Sequence, residues 1–120
     1  MTKPLALIIE DDPRLAGIFT YVLQAAGFEA EMIRDGQTAK DRLGDTTPAL
    51  VVLDLQLPHV SSEALLRQIR TDERLARTRV MLATADALMA ESLRMEADLV
   101  LLKPISFSQL RDLAAQLRPG

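Results

Sequence analysis

Several apolar runs in this sequence end on residues that can do chemistry. The first run stops on Glu10 and Asp11, and "VVLDLQLP" places Asp54 after an unbroken apolar stretch. "LATA" ends another run on Thr84, and "LLKP" ends another on Lys103. A buried charge is expensive unless it is paired or coordinated. We therefore expect these side chains to form one site.

The chemistry of such a site follows from its residue types. Clustered carboxylates repel one another unless a cation intervenes. Oxygen ligands in a chain without cysteine favour a hard ion such as Mg²⁺. Lys103 would add a positive charge and Thr84 a hydroxyl donor. This set suits phosphoryl transfer onto Asp54, since a metal and a lysine would offset charge on the transferring oxygens.

The apolar runs themselves predict the elements that position these residues. Four runs are short, branched and not alternating, as is typical of buried parallel strands: residues 5–9, 49–53, 80–83 and 99–102. Residues 28–33 alternate and predict a half-exposed edge strand. The carboxyl ends of parallel strands meet at one edge of a sheet, where ligands of open α/β sheets bind.

Helical periodicity fills the segments between the strands. Asp12 is the expected N-cap of the first helix, Pro13 its first residue and Gly27 its end. Four further helices are expected over residues 36–43, 61–70, 87–95 and 106–117. In the last of them the residues predicted to face inward are Phe107, Leu110, Leu113 and Leu117.

The alternation of strand and helix, repeated five times, predicts one doubly wound α/β domain over residues 1–120, with a five-stranded parallel sheet and helices on both faces. The net charge of −3 argues against direct binding to nucleic acid or an anionic membrane. The N-terminal residues read as neither a signal peptide nor a membrane span, so we expect a cytoplasmic protein.

Taken in order, "LIIEDD", "VVLDLQLP", "LATA" and "LLKP" resemble the receiver domain of bacterial two-component response regulators, the CheY-like family. "RDGQTAKDRL" also resembles the segment leading into that family's second helix. The resemblance covers essentially the whole chain and implies a flavodoxin-like sheet of order 2-1-3-4-5. It implies a phosphorelay protein that catalyses only its own phosphorylation and dephosphorylation, not a conventional enzyme.

The resemblance also assigns roles at the phosphoryl site. Asp54 matches the phosphoacceptor and Lys103 the lysine that bridges toward the phosphoryl group. Thr84 matches the hydroxyl residue that follows the phosphoryl group, and the Ala85 amide would help to bind it. A cis peptide bond is expected between Lys103 and Pro104.

By the same resemblance, Mg²⁺ would be held by Asp11 directly, by Glu10 through water, by Asp54, and by the backbone carbonyl of Gln56. The side chains of Gln56 and Asp86 would tune the lifetime of the phosphoryl group. The implied donor is a sensor histidine kinase or a histidine phosphotransfer protein. The implied assembly is a monomer or a weak, phosphorylation-dependent dimer with an unidentified output partner.

The chain departs from the family pattern in the residues that usually carry the signal. Val100 stands at the switch position, where the family has an aromatic residue. Ser61 and Ser62 stand where a glycine is usual before the third helix, and Glu96 replaces another glycine. The segment from residue 84 to residue 103 is also a few residues shorter than in typical members of the family. Val100, Glu96 and the shortened segment favour the alternative of a pseudo-receiver, an interaction module that works without phosphate, whereas the complete set of acids, threonine and lysine opposes it.

Overall fold

Five parallel strands alternate with five helices in the computed structural model, which describes residues 2–58 and 60–117. Two short 3₁₀ turns, Glu73–Leu75 and Arg94–Glu96, complete the regular structure of this part of the chain. In chain order the elements are β1 (Leu5–Ile9), α1 (Pro13–Ala25), β2 (Glu29–Ile33), α2 (Gly36–Asp45), β3 (Leu50–Asp54), α3 (Ser62–Thr71), β4 (Arg79–Thr84), α4 (Ala87–Leu93), β5 (Leu99–Leu102) and α5 (Phe107–Leu117).

The sheet has the order β2-β1-β3-β4-β5, with every neighbouring pair parallel. This confirms the expected order and the expected place of β2 at an edge. The most buried strands, β1, β3 and β4, occupy the three central positions, where both faces of a strand are covered. Asp54 therefore ends the strand at the middle of the sheet.

Each face of the sheet carries its own apolar core. Alternate residues of a strand point to opposite faces, so Leu7 and Ile9 pack on one side and Ala6 and Ile8 on the other. On the first side the strands are covered by α2, α3 and α4, and on the second by α1 and α5. The helical residues buried in these cores include Leu43, Leu65, Leu93, Phe19 and Leu110.

The first helix begins as its sequence predicts. Asp12 is the N-cap, with Oδ1 accepting hydrogen bonds from the backbone amides of Arg14 and Leu15 at 3.0 and 3.5 Å. Pro13 is the first helical residue, where a missing N–H costs nothing. Gly27 has a φ of 101°, a left-handed conformation that favours glycine, and the chain turns there into β2.

Two expectations about the last helices were wrong. The fourth helix ends at Leu93, two residues early, because the chain tightens into the 3₁₀ turn Arg94–Glu96. Phe107 was expected to face inward, yet it is 55% exposed. Its spacing puts it in line with Leu110, but periodicity identifies the face of a helix and not where the neighbouring elements end.

Across the two described stretches of chain, none of the helices combines the length and the apolar character needed to cross a membrane.

Candidate functional site

The polar strand ends identified in the sequence meet at the carboxyl edge of the sheet. Glu10 follows β1, Asp54 ends β3, Thr84 ends β4 and Lys103 follows β5. The Lys103 amide donates to the Thr84 carbonyl at 2.8 Å, which extends the β4–β5 pairing up to the lysine. Sheet order thus brings together residues that are far apart in the sequence.

Three carboxylates converge at this edge. Glu10, Asp11 and Asp54 each offer an oxygen within 4.8 Å of the other two. Glu10 and Asp54 are only 1% and 2% exposed, whereas Asp11 is more accessible. Oxygen donors at this density fit a hard divalent cation, and an accessible face would let the ion keep several of its waters.

Lys103 supplies a single positive charge to the three carboxylates. Its Nζ donates to Glu10 Oε1 at 3.1 Å and lies 3.4 Å from Asp54 Oδ1. The lysine side chain is 21% exposed and reaches the buried acids from the surface. One ammonium cannot neutralise three carboxylates, so the donor set has room for a further cation.

The pKa of Glu10 is raised in this environment. Burial raises it from 4.5 to about 7, and a hydrogen bond with Asp54 and repulsion by that carboxylate act in the same direction. Attraction to Lys103 and a hydrogen bond from the Asp12 amide oppose the rise. A carboxyl whose pKa is raised mainly by burial, and further by a neighbouring carboxylate, is an environment in which a divalent ion fits.

Thr84 and Asp86 form one turn at the end of β4. Thr84 is fully buried, and its Oγ1 accepts a hydrogen bond from the Asp86 amide at 3.0 Å. The hydroxyl therefore keeps its own hydrogen to donate. The Asp86 carboxylate caps α4 by accepting from the amides of Leu88 and Met89 at 3.0 and 3.1 Å. Ala85, between them, is exposed.

The loop after β3 contacts the Asp54 carboxylate through its main chain. The Gln56 amide donates to Asp54 Oδ1 at 3.1 Å, and Gln56 itself is exposed. The buried hydroxyl of Ser62 donates to the Asp54 carbonyl at 2.6 Å, a contact that sequence reasoning missed. Its only signal was a serine where the resemblance leads one to expect glycine.

Val100 lies in β5, beside the strand β4 that leads into the turn formed by Thr84 and Asp86. It pairs with Leu82 across the β4–β5 register, is partly buried, and packs against the core beneath α3 and α4. Leu102 lies opposite Thr84 in the same register and is exposed. The predicted cis peptide bond between Lys103 and Pro104 is confirmed.

Known proteins share both this sequence pattern and this fold. The family model for the response regulator receiver domain matches residues 6–115. The polar-differentiation response regulator DivK of Brucella ovis is 31% identical over 109 residues, which cover 88% of each chain. The phosphate regulon transcriptional regulatory protein PhoB of Rhizobium meliloti is 34% identical over 110 residues, 89% of this chain. The chain spans only 48% of the length of that relative.

Solved structures agree with the family match. The signal receiver domain of a signal transduction histidine kinase from Syntrophus aciditrophicus has a TM-score of 0.83 at 29% identity, covering 95% of this chain and 89% of that one. The chemotaxis response regulator CheY4 of Vibrio cholerae has a TM-score of 0.87 at 18% identity, covering 97% and 99%, and shows the fold alone. The sequence match, the sheet order and the acidic edge agree, and the chain belongs to the response regulator receiver domain family of two-component signal transduction.

Proposed function

We propose that this receiver domain takes a phosphoryl group onto Asp54 and thereby changes its contacts with a partner. One observation carries the proposal: the Asp54 carboxylate is almost fully buried at the end of the central strand, with Lys103 Nζ 3.4 Å away and two more carboxylates beside it. An aspartate with a purely structural role would not require a lysine and two further carboxylates beside it. Membership of the receiver family supports the same reading.

The proposed step is an in-line displacement at phosphorus. An oxygen of the Asp54 carboxylate attacks the phosphoryl group of a phosphohistidine, so that an O–P bond forms while the P–N bond breaks. The imidazole nitrogen leaves with the bonding electron pair and takes a proton from solvent. The product is an acyl phosphate on Asp54.

Residues around Asp54 would act on the charge that the transfer moves. The Lys103 ammonium would bridge toward the phosphoryl oxygens, and the Thr84 hydroxyl and the Ala85 amide would donate hydrogen bonds to them. Asp11, Asp54, the Gln56 carbonyl and, through water, Glu10 would hold Mg²⁺. When bound, Mg²⁺ supplies positive charge to the transferring oxygens.

The donor would be a sensor histidine kinase or a histidine phosphotransfer protein in the cytoplasm. Phosphorylation would shift an equilibrium between two arrangements of the β4–α4 segment, which a partner reads. The chain acts alone or as one domain of a longer regulator, and a dimer, if formed, would be weak and would depend on phosphorylation. Beyond the sequence departures at Val100 and Glu96, the structure of residues 2–58 and 60–117 adds no observation that favours a phosphate-independent role.

The test is the mass of the intact protein after incubation with acetyl phosphate and Mg²⁺. Wild-type chain should gain one phosphoryl group, and Asp54→Ala should gain none. Asp41→Ala is the matched control, because Asp41 is an exposed carboxylate on α2 whose Oδ1 accepts a hydrogen bond from its helix neighbour Gln37. Wild-type chain without divalent metal should also stay unmodified.

Two results would contradict the proposal. An adduct that survives in Asp54→Ala would move the acceptor elsewhere. No adduct on the wild-type chain, even with a cognate kinase, would favour the pseudo-receiver.

A further inference from the structure

The hydroxyl of Ser62 is a buried donor to the main chain of the acceptor residue. Ser62 is 5% exposed, and its Oγ lies 2.6 Å from the Asp54 carbonyl oxygen. The register between β1 and β3 ends at the pair Ile9 and Leu53, one residue before Asp54. Asp54 still pairs with Ala83 of β4, but its pairing with β1 has ended, and a buried carbonyl needs a donor. Ser62 supplies one from the first turn of α3.

This hydrogen bond closes the loop that carries two of the proposed metal ligands, Asp54 and Gln56. The loop leaves the sheet at Asp54 and enters α3 at Ser62, eight positions later. Gln56 lies within it, and its amide donates to Asp54 Oδ1 at 3.1 Å. A change at the Ser62 end is thus transmitted to both the Asp54 carboxylate and the backbone at Gln56.

The same loop is held on its outer side by α2. Val60, two residues before Ser62, packs so closely on Gly36 that an added Cβ there would lie 2.2 Å from the Cβ of Val60. Ser62 fixes the inner side of the loop by a hydrogen bond. On the outer side, Gly36 has no side chain, which lets Val60 approach α2 closely.

We infer that Ser62 is a positioning residue for the metal and phosphoryl site, acting through the Asp54 main chain. The inference rests on the proposed function, since Asp54 and Gln56 supply the oxygens concerned. Residues that orient metal ligands without touching the metal typically change its affinity by about 10- to 100-fold when they are removed. The serine at this position thus takes on a task that a glycine could not perform.

The experiment compares Ser62→Ala and Ser62→Gly with Ser61→Ala in the full chain. Ser61 is the matched control because its exposed hydroxyl caps α3, accepting from the Ala64 amide at 3.3 Å without touching Asp54. Removing that cap lowers stability by an unrelated route. Two quantities are measured by NMR: Mg²⁺ affinity, by titration with magnesium chloride, and hydrogen exchange of the Gln56 amide in the metal-free chain.

We expect both Ser62 variants to bind Mg²⁺ about tenfold more weakly and to exchange the Gln56 amide faster. Ser61→Ala should lose stability but keep the wild-type affinity and exchange. If Ser62→Ala does not fold, the Mg²⁺ affinity and the Gln56 amide exchange of Ser62→Gly alone test the inference. Wild-type affinity and exchange in the Ser62 variants, or equal losses in Ser61→Ala, would overturn the inference.

The outcome separates this inference from the proposed function. A wild-type chain that binds Mg²⁺ yet takes no phosphoryl group would contradict the proposed function, and the affinity and exchange data would still decide the role of Ser62. A wild-type chain that does not bind Mg²⁺ would overturn both.

Discussion

Asp86 serves both the site and the helix that follows it. Its amide contacts Thr84 Oγ1, and its carboxylate caps α4. From the sequence we expect changes at Asp86 or Gln56 to alter phosphoryl lifetime with little change in stability. The cap limits that expectation for Asp86, because an alanine there also removes the helix cap.

Asp86→Asn should separate the two tasks of this residue. Asparagine caps helices as well as aspartate does, so stability should stay within about 0.5 kcal/mol of wild type, whereas Asp86→Ala should lose about 1 kcal/mol. An amide orients an attacking water less well than a carboxylate does, so decay of the acyl phosphate should slow by at least about threefold in both variants. Intact mass against time gives the decay, and urea unfolding gives the stability. Wild-type decay in both variants would contradict a role in lifetime.

Much of the site can be predicted from the sequence because its residues follow unbroken apolar runs. The strand ends at Glu10, Asp54, Thr84 and Lys103 need only the rule that parallel strands share an edge. The hydroxyl of Ser62 could not be predicted, since no periodicity reports the partner of a single side chain. The capping of α4 by Asp86 was missed, although an aspartate directly before a helix is the same local signal as Asp12 before α1.

The helices show where pattern reasoning stops. The start of α1 was predicted from the capping residue Asp12, and α3 likewise begins after one of its two adjacent serines, Ser61. The end of α4 and the exposure of Phe107 depend on what lies next to them, which the local sequence does not contain. The close contact between α2 and the loop after β3 is likewise tertiary.

The contact of Gly36 with Val60 predicts opposite effects for two similar substitutions in α2. Gly36→Ala forces Val60 to move and should lower the free energy of unfolding by about 1–3 kcal/mol. Gly44→Ala meets nothing within 4 Å and should raise it by about 0.5–1 kcal/mol, because alanine favours the helix. Urea unfolding of the two variants measures both values. A change of the same sign in both would refute the packing argument.

A second group of charged residues connects the elements at the end of the strands opposite the candidate site. Asp98 precedes β5 and accepts from the Val80 amide at 2.7 Å, from Arg70 at 2.9 Å and from Arg79 at 3.1 Å. Burial alone would raise the pKa of Asp98, but these three donors outweigh it and hold the pKa below its usual 3.8. The cluster joins α3, β4 and β5 at the end opposite the candidate site.

The lowered pKa makes this cluster sensitive to acid. A depressed carboxyl pKa contributes stability that is complete above the unfolded value of 3.8 and is lost as pH falls below it. Asp98→Asn should therefore lose about 2 kcal/mol at pH 7 and less at about pH 3, with the two chains converging once the pH passes below the lowered pKa of the folded chain. Asp45→Asn, which affects an exposed ion pair with Arg42, should stay near wild type at both.

Urea unfolding at the two pH values measures the difference between the chains, from which the titration of other groups largely cancels. A constant difference at both pH values would mean that Asp98 acts through packing and not through its charge.

The contact between Glu10 and Lys103 joins positions 93 residues apart. Ribosomes release a chain from its N-terminus, so Glu10, Asp11 and Asp54 emerge well before the lysine that faces them. Until β5 pairs with β4, a nascent chain carries those acids without their ammonium partner. The candidate site is therefore completed only once β5, the last strand of the described sheet, has emerged, and a truncated translation product ending before Lys103 would hold Asp54 without the lysine that faces it.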